Sequence, residues 1–242
     1  MVKTAAPDVG IPIARAVIYR VLARCFSYPE MELLELFENA RAEEISQSLR
    51  CLGLNAETVT SVSDWLAGCD SREAALRELE KEFIRLFASP YPKTLIQPYS
   101  SVYLDEQRRV WGVSTGEAAR LYEAAGLGMS SDFHDLPDHI AVELEFASYL
   151  IGEQQRRATD NDSAVPHLAS IEKRFLVEHL FRWAPDFFNR VSEQSSSAFY
   201  RTTALMGREF IDWDIVQGNS VRREEGMTMS RPQGFPVFPE GW

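Results

Sequence analysis

Cysteine is scarce: three residues in 242, at positions 25, 51 and 69, with no Cys-x-x-Cys and no histidine at zinc-finger spacing. An odd, scattered set builds neither a disulfide framework nor a structural zinc site, so a reducing, cytoplasmic setting is expected. Long apolar runs are missing as well, and no segment approaches the roughly 20 apolar residues of a membrane span. The opening MVKTAAPDVGIPIARAVIYR carries Asp8, Gly10 and Pro12 where a secretory leader needs an unbroken apolar stretch. No direct membrane insertion is therefore expected. Basic residues are in the minority, 25 Lys and Arg against 36 Asp and Glu, for a formal net charge of -11. Nucleic-acid affinity rests on clustered Lys and Arg, so this balance argues against a nucleic-acid partner and favours a basic or apolar one.

Catalytic signatures are equally thin. No Gly-x-Ser-x-Gly elbow, no glycine-rich phosphate loop followed by Lys-Ser/Thr and no dinucleotide fingerprint occur, and no cysteine stands beside a histidine partner. His139 and Glu143 are four apart on one helix face, a spacing that can share a metal ion, but two ligands do not make a site. Asp138 and His139 are sequence neighbours, so on a helix their side chains diverge by about 100° and cannot form a relay. The expectation is a protein that is not an enzyme, with no metal and no cofactor.

What is present is helical periodicity. With 45% hydrophobic residues the chain can build a substantial core. Ile13, Val17, Val21, Leu22, Cys25 and Phe26 recur at helical spacing until Pro29. A short helix is predicted from Glu30, two modest ones across 42–68 with Asn55 as a cap, and a clear one over 71–87. In the last, Ser71 caps, Leu76, Leu79, Phe83 and Leu86 form the apolar stripe, and Glu78 and Glu82 fall on the more polar side. Residues 89–101 hold three prolines and cannot be helical throughout. Further helices are predicted from Ser114 or Thr115 to Gly126, from Pro137 to about Gln155, across 167–191 with a break at Pro185, and over 197–216. The fold class is all-α, a single helical bundle of about ten helices over 13–217, with a flexible N-terminus at 1–12 and an extended or mobile tail at 218–242. Phe235, Phe238 and Trp242 of that tail could occupy a groove. The polar stretch at 156–166 is a hinge at which a monomer could convert to a domain-swapped homodimer.

The stretch DLPDHIAVELEFASYL, residues 135–150, has its own local physics. Pro137 suits the first turn of a helix, and Asp135 and Asp138 set negative charge against the positive end of its dipole, each worth roughly 0.3–1 kcal/mol. Ile140, Leu144, Ala147 and Ile151 form one apolar line and Val142, Phe146 and Tyr149 another, so this helix is central and buried on more than one side. His139 and Glu143 at its mouth either hydrogen-bond each other or nearby backbone, or face a ligand.

Taken together, YPE, EKEFIRLF before a proline-rich loop, QPYSSVYLDEQRRVWG, STGEAARLYEAAGL and LPDHIAVELEFASYL resemble the TorD/DmsD/NarJ superfamily of redox-enzyme maturation chaperones, especially its TorD/DmsD branch, over residues 13–215. HLFRWAPDFFNRV is similar to members too. The resemblance implies a non-catalytic cytoplasmic chaperone that binds the twin-arginine signal peptide, the apo form of a molybdenum-cofactor oxidoreductase subunit, or both, holding the subunit for cofactor insertion before export. The alternatives are a NarJ-like assembly factor for a non-exported molybdoenzyme and a GTP-binding or hydrolytic helical protein, which would bring weak guanine-nucleotide binding. Matching the family's pattern, Pro98, Tyr99, Ser101, Tyr103 and Leu104, then Trp111, and then Pro137, Asp138 and His139 are the implied peptide-facing residues. Ser100 departs from the pattern, where Gly or an acidic residue is expected. A receptor for two guanidinium groups and an apolar stretch should combine carboxylates, here Asp138, Glu143 and Asp105, with rings, here Tyr99, Tyr103 and Trp111. Arg-on-ring contacts contribute about 0.5–2 kcal/mol. The alternative for those three rings is ordinary core packing. Arg108-Arg109 lies mid-chain and is not an export signal of this protein.

Overall fold

A computed structural model of the chain describes residues 10–89, 94–128 and 135–226. Among them are eleven α-helices and no strand beyond one isolated bridge. In order these are α1 (Ile11–Cys25), α2 (Met31–Glu35), α3 (Asn39–Cys51), α4 (Glu57–Ala67), α5 (Arg72–Phe83), α6 (Ser100–Leu104) and α7 (Val113–Ala124). They continue with α8 (Ile140–Thr159), α9 (Val165–Glu178), α10 (Ala184–Gln194) and α11 (Ala198–Gly226). None is long and apolar enough to cross a membrane.

Local chemistry sets most boundaries as the residues predict. Ser71 Oγ accepts from Ala74 N-H at 3.1 Å to cap α5, and Asn55 Oδ1 accepts from Glu57 N-H at 2.9 Å ahead of α4. Pro185 stands in the first turn of α10, separated from α9 by a 3-10 turn at Leu180–Arg182. Several boundaries differ from expectation: α7 starts at Val113, with Gly112 rather than Ser114 or Thr115 as its N-cap. The helix over 71–87 is α-helical only to Phe83 and finishes as a π turn, Ile84–Ala88. α8 begins at Ile140 rather than in a turn containing Pro137, because His139 is its N-cap. And α11 runs through residue 217 to Gly226, nine residues into the predicted tail. Most of the predicted N-terminus, 1–9, and the tail residues Phe235, Phe238 and Trp242 lie outside the described residues.

α1 is the axis of the bundle. Its Ala14, Val17, Ile18, Tyr19, Leu22 and Cys25 are buried around most of its circumference, since α8, α3 and α11 all pack on it, α8 most extensively. Ser148 of α8 donates to Ala16 O at 2.8 Å, a polar clamp inside that contact. As its two apolar lines predict, α8 is central: Ile140, Leu144, Ala147 and Ile151 are all buried, with α9 on its far side and α10 against α11. Rings fill the joint between these layers. Phe26 meets Phe187 and Phe188 at 5.4 Å, and Phe87 lies 6.1 Å from Tyr200. Each fully buried side chain of this size contributes about 1.5–3 kcal/mol relative to an exposed one.

Two charged nodes tie distant helices together. Arg15 of α1 reaches Asp214 of α11 and Glu172 of α9, both at 2.8 Å, and Tyr19 donates to Asp214 at 2.6 Å. Glu82 corrects the expectation that it lies on the more polar side of its helix. It is buried, and its carboxylate accepts from Arg85 at 2.7 Å, Ser195 Oγ at 2.7 Å, Ser196 N-H at 2.6 Å and Ser197 N-H at 3.2 Å. Those serines lead into α11, so a glutamate from α5 satisfies the N-H groups at the start of a helix 115 residues away.

Candidate functional site

The proline-interrupted loop and the mouth of α8 are sewn together by backbone. Ser100 N-H donates to Asp138 O at 2.9 Å and Ile140 N-H to Pro98 O at 2.8 Å, the two bonds of an antiparallel bridge between Tyr99 and His139. Motifs about 40 residues apart in sequence therefore share one rigid unit. Pro98 and Ser101 are buried in it, Tyr99 and Tyr103 are half-buried, and Leu104 and Pro137 are partly exposed.

Side chains lock the unit from below. Asp138 is fully buried and its Oδ2 accepts from Ser101 N-H at 3.0 Å, at the head of α6, while Oδ1 has no hydrogen-bond partner among the described residues. His139 Nδ1 accepts from Ala141 N-H at 3.2 Å, capping α8, which requires that nitrogen to be unprotonated. Burial pushes the His139 pKa down, against the pull of Asp135 and Asp138, so the neutral ring that the cap needs is the favoured form. The ring meets Tyr99 edge-on at 5.3 Å. Tyr99 OH donates to the exposed Asp135 at 3.1 Å, and Tyr122 of α7 donates to Pro137 O at 2.6 Å.

His139 and Glu143 do not pair with each other. Glu143 is fully buried and turned inward, its Oε1 2.7 Å from His179 Nε2 and its Oε2 accepting from Trp183 Nε1 at 2.9 Å. Burial raises the Glu143 pKa while its two partners pull it back; burial opposes a charged His179, but the Glu143 carboxylate outweighs it and raises that pKa as well. A carboxylate with two committed oxygens and no solvent contact is an internal brace. Trp183 carries the brace outward: its ring lies 5.2 Å from Tyr103, over which the Arg190 guanidinium sits at 5.3 Å. His179 and Trp183 were invisible as site residues in the sequence. The one available signal was the similarity of HLFRWAPDFFNRV to the family, which names a segment and not a contact.

Beyond α6 the chain turns outward. Asp105 accepts from Ser114 N-H at 3.3 Å and from Ser114 Oγ, and a Cβ on Gly112 would lie 1.8 Å from its Oδ2, so a larger residue there would displace the Asp105 carboxylate from Ser114. Between these anchors Arg108 and Trp111 adopt φ of 48° and 69°. A left-handed backbone at non-glycine residues costs on the order of 1–3 kcal/mol and persists only where its surroundings enforce it. The consequence is a Trp111 side chain 73% exposed, with Val110 and Val113 exposed on either side. Core packing, the alternative for the three rings, therefore accounts for much of Tyr103, part of Tyr99 and none of Trp111.

Comparison with known proteins agrees with this architecture. The family model described as nitrate reductase delta subunit matches residues 39–189. The chain is 26% identical to the chaperone protein TorD of Aliivibrio salmonicida, covering 83% of this chain and 93% of that one. It is 27% identical to the TorD of Shewanella loihica, covering 83% and 91%, and 28% identical to the TorD of Shigella boydii, covering 82% and 94%. These relatives are named as chaperones and not as enzymes. The chain belongs to the nitrate reductase delta subunit family, within the TorD/DmsD/NarJ superfamily of redox-enzyme maturation chaperones.

Proposed function

We propose that this chaperone grips the twin-arginine leader of an apo molybdenum-cofactor oxidoreductase subunit at the loop of residues 98–113, holding the subunit for cofactor insertion before export. The observation that carries the reading is Trp111, a large ring held out in solvent on a strained backbone beside two exposed valines. Strain maintained for an exposed aromatic is explained by a ligand it contacts. Tyr99, Tyr103, Leu104, Asp105 and Trp111 face the peptide in this scheme. Pro98, Ser101, Pro137, Asp138, His139 and Glu143 act from beneath as positioning residues, fixing the loop through the bridge, the caps and Trp183. Exposed Asp135, next to Tyr99, replaces the two internal carboxylates as the acid group for a leader guanidinium.

Isothermal titration calorimetry with a twin-arginine leader peptide should give micromolar or tighter binding that weakens only partly with added salt. Trp111→Gly removes the ring and suits the positive φ, so it should weaken binding about tenfold or more while leaving the melting temperature unchanged or slightly higher. Absence of heat with any leader, while the protein is folded, counts against leader recognition. The burial of Asp138 and Glu143, which leaves less acid at the surface than two arginines call for, favours the second reading: an assembly factor that recognises the apo subunit's body or N-terminal tail. Binding of a leaderless apo subunit with no binding of the leader alone would select it.

A further inference from the structure

The Arg108-Arg109 pair has the wrong charge to pair with a leader arginine, and it lines a cavity. With Arg190 of α10 it faces a cavity of about 470 Å³ between the 94–110 loop and α10, and among the described residues the wall carries one carboxylate, Asp186. Among the described residues none of the three guanidinium groups forms an ion pair, and Arg190 is engaged only by the Tyr103 ring beneath it. In a chain with 36 acidic and 25 basic side chains, three arginines to one aspartate is a local reversal of charge. Such a reversal inside a concave surface concentrates positive potential on whatever enters. It repels a twin-arginine leader and calls for the opposite sign.

The remaining wall is not polar. Leu95 and Val110 at the rim are 44% and 39% exposed, and Val102 lines the interior. Among the described residues no glycine lines the cavity, nor do the first-turn residues of α10 apart from Asp186, so they provide no backbone N-H cradle of the kind that holds phosphates. Guanidinium groups over an aliphatic and aromatic wall match carboxylates spaced by aliphatic side chains, since Arg binds a carboxylate in a two-bond fork and its plane stacks on rings.

We infer that this cavity docks an acidic, aliphatic segment of a partner polypeptide, with carboxylates forked onto Arg109 and Arg190 and a leucine-like side chain against Leu95 and Val110. The site goes beyond the leader-binding reading: its charge preference is opposite, and Leu95, Gln97, Asp186 and Arg190 of its lining lie outside the 98–113 loop. A chaperone holding a subunit by two features of opposite charge gains effective concentration at the second once the first is bound.

The test uses the full chain and a fluorescein-labelled peptide of alternating Glu and Leu, followed by fluorescence anisotropy at low and high salt. Micromolar binding that weakens several-fold in high salt is expected. The R109Q/R190Q double variant should weaken it at least tenfold, with the melting temperature unchanged and the affinity for a twin-arginine leader undiminished. R109K/R190K, which keeps charge but loses the fork, should fall between. Equal binding of a Gln/Leu peptide, or undiminished binding by R109Q/R190Q, overturns the inference. So does displacement of the acidic peptide by inorganic phosphate or GTP at lower concentrations than unlabelled peptide requires, which would identify a phosphate site.

Discussion

Replacing Glu143 by alanine is expected to lower the unfolding free energy by about 3–5 kcal/mol, because it strips the only carboxylate from His179 and Trp183 in a site without solvent. For a chain of this size that is a fall in melting temperature on the order of 10 °C. Glu143→Gln keeps an oxygen for the indole and an amide for a neutral imidazole, so its loss should be well under half as large. The penalty also has a direction in pH. In the native protein Glu143 and His179 both hold protons more tightly than when unfolded. His179 thus contributes stability that is fully present below its unfolded value near 6.5 and is lost as pH rises through its higher folded value. Without Glu143, burial, the largest influence on His179, is opposed only by the weaker pull of Glu117 and Asp138 and depresses its pKa, which reverses the slope: the folded variant then loses stability as pH falls below about 6.5. Urea unfolding at pH 8 and pH 6 should therefore show Glu143→Ala more damaging at pH 6. A penalty equal at both values would mean that His179 does not exchange protons with the brace.

Glu82→Ala should be the second most destabilising change, by about 2–4 kcal/mol, most of it from the serine hydroxyl and N-H groups left without an acceptor at the head of α11. The Arg85 arm is partly exposed and adds little. Burial by itself would raise the Glu82 pKa, but hydrogen bonds from Arg85, Ser195 and Ser196 outweigh it and hold the carboxyl well below the usual range. A depressed carboxylate contributes stability that is present above its unfolded value near 4.5 and is lost as pH falls toward the folded one. Acid unfolding followed by circular dichroism should accordingly be steep in the native chain below pH about 4.5 and shallower in Glu82→Ala. Glu82→Gln, which retains one acceptor, should lose less at neutral pH yet show the same shallow acid limb. A steep limb in both variants would place the acid-sensitive group elsewhere.

These two glutamates mark how far local pattern carries. The spacing of Ile140, Leu144, Ala147 and Ile151 was enough to bury α8, and Ser71, Asn55 and Pro185 were enough to place helix starts, because periodicity and capping involve residues within a turn or two of each other. Local pattern failed at Glu82, whose serine partners lie 113–115 residues away, and at Glu143, whose partners lie 36–40 away. On a helical wheel a buried carboxylate with distant donors is indistinguishable from a solvated one. The motif residues of the loop and of the α8 mouth were named in advance through family resemblance, but which of them face outward was not legible.

The sequence by itself determined that the chain is all helical, where its proline-rich loop interrupts the bundle, and that it carries no phosphate-loop motif. Only the tertiary structure decided that Asp138 and Glu143 turn inward, that Trp111 stands out in solvent, and that Arg108, Arg109 and Arg190 share one cavity. The physical reason is that helix formation is read from neighbours along the chain. The direction and charge environment of a side chain depend on helices brought alongside by burial, and no short window of sequence contains them.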